Sequence, residues 1–208
     1  VDLVLIGIQR AFVFEALQQC AVKKIPFAIL FSAGYAELGP SGRMEQARLK
    51  DFARQAGIRI VGPNCIGLIN PHDRVASSFV SGLETEKILP GGLALITQRG
   101  GIGNTLLTRA QDRSIGLSGF VSSGNELDLE AADFLEYFLE DPRTRAVAFL
   151  LEDLKDPRKF SRAAERARKA GKPLLALKVG RSEKGRLAAS SHTGAISGAD
   201  SVYEAVFR

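Results

Sequence analysis

Cysteine, tryptophan and long apolar runs are scarce or missing in this chain of 208 residues. Two cysteines, Cys20 and Cys65, are too few for a disulfide framework and too far apart for a metal knuckle. No run reaches the 18 or more apolar residues that span a bilayer, and the opening VDLVLIGI lacks the charged leader and cleavage site of a signal peptide. We therefore expect a cytoplasmic protein that is neither secreted nor inserted in a membrane, and that supplies no metal ligands.

Positive charge is in excess, with a formal net charge of +5, but it is not concentrated. Basic residues share segments such as RKFSRAAERARKAGK with an acidic residue and alanines, which is typical of a solvated helix face. Aromatic residues do not interleave with them, as they do in many single-strand nucleic-acid sites. We expect no binding to nucleic acid, although a mild positive field favours ligands that carry phosphate.

Short apolar runs alternate with helical periodicity along the whole chain. The runs DLVLIGI, PFAILFSAG and IRIVGPNC are separated by predicted helices at 11–22 and 42–56. The polar stretch SGLETEKILPGG then interrupts the alternation, and we place a domain boundary there, between 1–86 and 87–208. The second half repeats the pattern, with strands at 93–96, 119–122, 146–151 and PLLALKV, and with helices at about 102–112, 129–139 and 158–170. The predicted fold class is α/β, with two tandem doubly wound parallel-sheet domains.

Small, polar and glycine-rich segments follow each predicted strand of the second half. They read TQRGGIG, SSGNE, EDL and KVGRSEKG, and the last leads into SSHTGA. In open parallel sheets ligands collect beyond the carboxyl ends of the strands, so these segments should converge. Gly100 and Gly101 allow close backbone approach, and a helix that starts near Ile102 offers unpaired amides to an anion. A simple strand-to-helix turn explains the same residues.

His192 lies among hydroxyl residues in the segment LAASSHTGAISGAD. Neutral imidazole is a competent nucleophile, and a nucleophilic histidine needs its other ring nitrogen held, usually by a carboxylate. Glu152 emerges directly from the apolar strand AVAFLL and is positioned to be that carboxylate. The residues alone leave the alternatives open: His192 can be an ordinary loop residue, and Glu152 a helix cap or a solvated side chain.

Several long segments together resemble a known family. They are LALITQRGGIGNTLLTRA, FVSSGNELDLEAADFLEYFLEDPRTRAV, LLEDLKDPRKF, KPLLALKVGRSEKG and AASSHTGAISGAD. These resemble the ligase domain of the NDP-forming acyl-CoA synthetases, relatives of the succinyl-CoA synthetase α subunit. SAGYAELG and GPNCIGLINP resemble the later part of that family's CoA-binding domain. The resemblance implies a partial Rossmann-like CoA-binding domain at 1–86 and a flavodoxin-like ligase domain at 87–208.

The resemblance also implies an activity and a role for each matching position. Such enzymes interconvert acyl-CoA, ADP and phosphate with carboxylate, CoA and ATP through an acyl phosphate and a phosphohistidine. His192 matches the phosphorylated histidine, and Glu152 matches the acidic residue that orients it. The implied phosphate-binding residues are Thr97, Gly100, Gly101, Ile102, Ser191 and Thr193. The implied CoA- and substrate-binding residues are Gly62, Pro63, Asn64, Cys65 and Asn125.

Two departures from the family pattern limit what this chain does alone. Arg99 stands in TQRGG where the family usually has a small hydroxyl residue, which leaves substrate preference open. The resemblance also implies a glycine-rich CoA phosphate turn before Val1 and an ATP-grasp domain that binds ADP or ATP with magnesium, and the 208 residues contain neither. We expect that domain elsewhere in a longer polypeptide or on a β subunit, and we expect an oligomer.

Other chemically suggestive residues have plainer interpretations. No histidine accompanies Cys65 locally, so we expect a packed strand-end residue rather than a thioester nucleophile. His72 is predicted to lie in a turn, and Glu126 to structure its loop. Lys178 and Arg181 can offset phosphate charge or serve as solvated cations.

Two other functions fit parts of the sequence. A non-catalytic acyl-CoA-sensing regulatory module of a protein acetyltransferase is the main alternative, but in such relatives the histidine is often replaced, whereas His192 is present. A redox flavodoxin-like domain is disfavoured because no aromatic pair flanks a candidate phosphate loop.

Overall fold

Two sheets with helices packed on them form the protein in the computed structural model, which describes residues 1–80 and 88–180. The first sheet has three parallel strands in the order β1-β2-β3. Its elements in chain order are β1 (Leu3–Ile6), α1 (Arg10–Val22), β2 (Phe27–Leu30), a short 3-10 helix (Ala36–Leu38), α2 (Pro40–Ala56) and β3 (Arg59–Val61). The predicted alternation of strand and helix is confirmed here, with boundaries within a few residues.

The second sheet has six strands in the order β5-β4-β7-β6-β8-β9. Its elements are β4 (Gly67–Asn70), β5 (Val75–Ser78), β6 (Pro90–Thr97), α3 (Gly100–Asp112), β7 (Leu117–Ser122), α4 (Ala131–Glu140), β8 (Ala146–Leu151), α5 (Pro157–Lys169) and β9 (Leu174–Lys178). Strands β7, β6, β8 and β9 are parallel, as predicted. The α/β fold class with parallel sheets is therefore confirmed.

The hairpin of β4 and β5 was not predicted. Its strands pair antiparallel with each other, and β4 also pairs antiparallel with β7 of the second sheet. The turn between them contains His72, as expected, and its Nε2 lies 2.9 Å from the carbonyl oxygen of Gly91. Arg143 anchors this turn by donating to Asp73 at 2.8 Å. The chain thus enters the second sheet between Val61 and Gly67, and the division at residue 86 stays a prediction.

A shared core joins the two sheets. Val13 and Leu17 of α1 and Leu49 of α2 pack on one face of the first sheet. Ile29 and Val61 lie on the opposite face of that sheet, where they join an apolar cluster shared with α4 and the second sheet. The other members of this cluster include Phe134 and Phe138 of α4 and Ile96, Val121 and Phe149 of the second sheet. Burial of this much aromatic and branched surface holds the strand ends of both sheets in fixed relation.

Candidate functional site

A cleft of about 710 Å³ lies at the carboxyl ends of the parallel strands. Loops that follow β2 and β3 of the first sheet and β6, β7 and β8 of the second sheet contribute to it. Its lining residues are Phe31, Ala36, Arg43, Asn64, Cys65, Ile66, Phe79, Gln98, Arg99, Gly100, Gly101, Ile102, Gly124, Asn125, Glu152, Asp153 and Lys155. The predicted convergence of the strand-end segments is therefore found for TQRGG, SSGNE and EDL.

The first turn of α3 faces this cleft with Gly100, Gly101 and Ile102. Arg99 occupies the N-cap position in an extended conformation, and no side chain caps the helix. A Cβ at Gly100 would lie 2.7 Å from Cγ2 of Ile66, whereas a Cβ at Gly101 would meet no atom within 4 Å. The first turn of α3 therefore borders the cleft without a side-chain cap on its amides, an arrangement that favours an anion.

Thr97 does not line the cleft, and its role as a phosphate-binding residue stays a prediction. The side chain is fully buried beneath α3, and a Cβ at Gly103 would lie 2.4 Å from its Oγ1. Side chains alternate along a strand, so the last residue of β6 points under the helix. The next two residues, Gln98 and Arg99, line the cleft instead.

Glu152 lies directly after β8, on the cleft, with 8% of its surface exposed. Its carboxylate forms an ion pair with the guanidinium of Arg99, through Oε1 and Nε. Desolvation by burial lowers the pKa of Arg99, yet guanidinium stays charged because its ordinary pKa is so high. The cleft thus holds a nearly buried carboxylate and a cation side by side at the N-terminus of α3.

Gln98 fixes the backbone of Glu152, a role that the sequence did not reveal. Its Oε1 accepts from the amides of Glu152 at 2.6 Å and Asp153 at 3.1 Å, and its Nε2 donates to the carbonyl of Asp153 at 2.6 Å. The Nζ of Lys178 donates to the carbonyl of Glu152 at 2.7 Å and to that of Val179 at 2.6 Å. Lys178 therefore supports the strand-end backbone, and its role in offsetting phosphate charge stays a prediction.

The five residues predicted to bind CoA and substrate fall into two that are buried behind the cleft and three that line it. Gly62 and Pro63 are buried and do not line the cleft, and their assignment as binding residues stays a prediction. Their carbonyls accept from the amides of Leu127 and Asn125, both at 2.9 Å, because these loops run side by side. Asn64, Cys65 and Asn125 line the cleft, and their roles in binding CoA or substrate stay predictions.

Cys65 is a packed residue, as expected, rather than a nucleophile. It is 2% exposed, and its Sγ donates to the carbonyl of Leu30 at 3.5 Å. Desolvation by burial raises the pKa of the thiol to about 12, so the thiolate needed for attack is not formed near neutral pH.

Asn125 links the cleft to the first sheet's loops. Its Nδ2 donates to Glu37 Oε2 at 2.6 Å and to Gln46 Oε1 at 3.0 Å, while its Oδ1 accepts from Asn64 at 3.3 Å. Sequence reasoning missed Glu37 and Gln46, because they are polar residues 88 and 79 positions away from Asn125 with no motif of their own. This network fixes the side chains of Asn64 and Asn125 at the cleft.

Glu126 is a buried carboxyl behind the cleft, in a loop where it adopts a positive φ of 57°. Its Oε1 accepts from Ser123 Oγ at 2.8 Å and from the amide of Ala131 at 3.0 Å. Desolvation raises its pKa from 4.5 to about 7, against hydrogen bonds from Gln98 and Ser123 that lower it. Glu126 therefore structures its loop, as predicted, and holds a proton more tightly in the folded protein than in the unfolded chain.

This raised pKa predicts a pH-dependent stability. The contribution of Glu126 to the free energy of unfolding is fully present below about pH 4.5. It is lost as the pH rises through about 7, by roughly 3 kcal/mol in total. Glu126→Gln keeps the acceptor oxygen and should flatten this part of the profile. Urea unfolding at pH 5.5 and 8.5 measures the change, with the exposed Glu15→Gln as control. If the stability of Glu126→Gln fell between pH 5.5 and 8.5 as much as that of the unsubstituted protein, the raised pKa of Glu126 would be contradicted.

Several predicted site residues lie outside the described part of the chain. They are Arg181, Ser191, His192 and Thr193. Within residues 1–80 and 88–180, no group of three or more His, Cys, Asp or Glu side chains is arranged to hold a metal ion. In the same residues, no helix has both the length and the apolar character that crossing a membrane requires.

The fold and the cleft define a two-sheet α/β protein in which the first turn of α3 and the loops that follow β3 and β7 line one cleft. A family model described as "Succinyl-CoA ligase like flavodoxin domain" matches residues 90–208, and one described as "CoA binding domain" matches residues 1–71. The chain belongs to the family of the succinyl-CoA ligase like flavodoxin domain, since that model covers more than half of it. The resemblance read from the sequence is confirmed.

Relatives and solved structures agree with this membership. The chain is 39% identical over 208 residues to "Acetate--CoA ligase [ADP-forming] I subunit alpha" of Pyrococcus furiosus, covering 100% of this chain and 44% of the relative. The corresponding II subunit alpha of that organism is 36% identical with the same coverage. A similar solved structure is that of the Ca. Korarchaeum cryptofilum dinucleotide forming acetyl-coenzyme A synthetase 1 in complex with phosphate and ADP. It superposes with a TM-score of 0.91 and is 32% identical, over 100% of this chain and 44% of that chain. The chain therefore spans less than half the length of these relatives.

Proposed function

We propose that this chain is part of an ADP-forming acyl-CoA synthetase, in which it carries the phosphoryl group between the acyl substrate and ADP. The observation that carries the proposal is a shared cleft: the first turn of α3 and Glu152 face it from one sheet, and Asn64 and Asn125 face it from the adjoining loops. The similarity to ligases named as ADP-forming supports the same function.

The proposed reaction has three steps. A phosphate oxygen attacks the thioester carbonyl of acyl-CoA, the C–S bond breaks, and CoA leaves as the thiol with an acyl phosphate as the other product. The free imidazole nitrogen of His192 attacks phosphorus, and the P–O bond to the carboxylate breaks. An oxygen of the terminal phosphate of ADP then attacks the phosphohistidine, the P–N bond breaks, and ATP forms.

The residues of the cleft supply what these steps need. Amides of Gly100, Gly101 and Ile102 stabilise the negative charge on phosphate without moving, because the helix fixes them. The carboxylate of Glu152 accepts the N–H of the His192 ring, which leaves the other nitrogen free to attack. Ser191 and Thr193 would add hydroxyl donors to the phosphoryl group.

Arg99 adds a cation to this phosphate site. Its guanidinium pairs with Glu152, so an arriving phosphate dianion competes with Glu152 for the same cation. In the proposed cycle, phosphate takes over the Arg99 contact, and the carboxylate is released to accept from the imidazole.

The remaining cofactors and partners follow from the same proposal. CoA approaches from the side of Asn64, Cys65 and Asn125, and ADP or ATP with magnesium binds to an ATP-grasp domain or partner subunit. Two relatives are named as α subunits, which supports such a partner. We also propose an oligomer and a cytoplasmic location. The regulatory alternative finds no support, since the relatives reported above are named as ligases or synthetases.

The test uses the full-length product of the native gene with its partner subunit, if one is encoded separately. Incubation with γ-labelled ATP and magnesium should give protein-bound label that is labile to acid, stable to alkali, and discharged by ADP. Absence of such label, or label that survives acid, would overturn the proposed function. Gene neighbours that encode an acetyltransferase and no ATP-grasp domain would favour the regulatory alternative.

A further inference from the structure

A buried carboxyl group behind the cleft is connected to Glu152 by the side chain of Gln98. This carboxyl belongs to Glu126, which is 5% exposed and whose Oε1 accepts from Ser123 Oγ and from the amide of Ala131. Its other oxygen, Oε2, is buried and makes no hydrogen bond of good geometry with residues 1–80 or 88–180. Gln98, which lines the cleft, interacts with this carboxyl through its side-chain amide.

The hydrogen bonds of Gln98 fix the orientation of its side-chain amide. Its Oε1 accepts from the backbone amides of Glu152 and Asp153, which can only donate, so this oxygen has to face them. One N–H of its Nε2 donates to the carbonyl of Asp153. The second N–H is then left for the carboxyl of Glu126. This orientation suits an ionised Glu126, because a carboxylate accepts hydrogen bonds and donates none.

Protonation of Glu126 reverses what the carboxyl needs from Gln98. Its Oε1 already accepts two hydrogen bonds, so the added proton resides on Oε2 and requires an acceptor. Gln98 supplies that acceptor only if its amide turns over and directs Oε1 toward Glu126. The backbone amides of Glu152 and Asp153 then lose their acceptor and face an NH2 group, and buried donors left without a partner are unfavourable.

The charged groups around Glu126 leave this protonation finely balanced. Burial raises the pKa of Glu126 to about 7, and the field of Lys155 is among the effects that oppose this rise. Lys155 itself lies 3.8 Å from the carboxylate of Asp153. The amides at the start of α4 also favour the ionised form. Glu130, the N-cap of α4, is neutralised by an ion pair of 2.9 Å with Lys159.

We propose, resting on the proposed function, that Glu126 is a positioning residue for phosphoryl transfer, which acts on Glu152 through the orientation of Gln98. Ionised Glu126 holds the oxygen of Gln98 on the amide of Glu152, so the strand end is fixed and its carboxylate is presented to the imidazole of His192. Protonated Glu126 turns the amide of Gln98 and releases this strand end. The cleft is therefore ordered above neutral pH and loosened below it, in addition to any titration of His192 itself.

Amide hydrogen exchange of the full-length protein without substrates tests the connection directly. We expect the protection of the Glu152 and Asp153 amides, corrected for the intrinsic effect of pH, to be about tenfold or more lower at pH 6 than at pH 8. Glu126→Gln should show the low protection at both pH values, because its NH2 group takes the place of the protonated Oε2. The exposed Glu15→Gln is the matched control and should behave as the unsubstituted protein.

Gln98→Met removes the connecting amide while Glu126 stays in place. It should also give low protection at both pH values, which separates the action of Gln98 from a general effect of charge at Glu126. In the same proteins, the rate of phosphohistidine formation from ATP at pH 8 should fall by roughly tenfold in Glu126→Gln, with little change in KM for ATP. Glu15→Gln should keep the full rate.

Two results would overturn this inference and leave the proposed function intact. The first is protection of the Glu152 and Asp153 amides that does not change between pH 6 and 8 in the unsubstituted protein. The second is a Glu126→Gln variant that keeps the pH dependence of protection or the full rate of phosphohistidine formation. Failure of the unsubstituted protein to form phosphohistidine would overturn the proposed function and, with it, the role of Glu126 in the reaction.

Discussion

His192→Ala is expected to eliminate the acid-labile phosphoenzyme and to lower kcat for ATP formation by roughly 10⁴-fold or more, because alanine has no nucleophile to accept the phosphoryl group. Binding of CoA and phosphate should change little, since the proposed contacts to both come from other residues of the cleft. The measurement is label retained on the full-length protein after incubation with γ-labelled ATP and magnesium, followed by alkaline gel analysis and a coupled assay.

The chain offers a matched control for this substitution. It contains two histidines, and the second, His72, lies in the β4–β5 turn with its ring against the carbonyl of Gly91. His72→Ala should therefore retain full labelling. Label that persists in His192→Ala, or that disappears in His72→Ala, would show that another group carries the phosphate.

Glu152→Gln is expected to lower kcat by about 10²–10⁴-fold while leaving the protein folded. The amide keeps the size of the carboxylate but cannot carry the negative charge that stabilises a cationic imidazole and selects its tautomer. The substitution also removes the anionic partner of Arg99, so the guanidinium becomes free to bind phosphate. We therefore expect KM for phosphate to stay constant or to fall as kcat collapses.

A fall in kcat without a rise in KM for phosphate separates an orienting role from a structural one. A purely structural defect would raise KM or lower the amount of folded enzyme. Asp153→Asn, at the neighbouring carboxylate that pairs with Lys155, should cost less than about tenfold in kcat. A loss in Asp153→Asn equal to that in Glu152→Gln would contradict the role assigned to Glu152.

Most of the fold could be predicted because its parallel strands are continuous apolar runs between amphipathic helices. Strand β8, for example, was predicted at its observed bounds, Ala146–Leu151, from AVAFLL alone. The β4–β5 hairpin was missed because each strand has only four residues, with glycine, asparagine or serine at several positions. Its structure depends on pairing with β7, and such long-range pairing leaves no local period in the sequence.

The candidate site was predicted in outline for a topological reason. Parallel strands bring their carboxyl ends to one edge, so Gly100, Glu152 and Asn125 meet there whatever their separation along the chain. The burial of Thr97 was not predicted, because the sequence does not show at which residue a strand end turns toward a helix. Gln98 and Glu37 were missed because their importance lies in backbone amides and distant side chains that only the folded chain brings within reach.

The antiparallel strand β4 holds the two regions of the chain together, because it pairs with β7 of the second sheet. Because its backbone lies between β5 and β7 in the six-stranded sheet, a cut near residue 86 would not separate independent pieces. It would strip β7 of a neighbour and leave unpaired amides and carbonyls, a surface that invites aggregation. Dissection or domain exchange in this protein therefore has a natural boundary before Gly67, where the chain crosses from one sheet to the other.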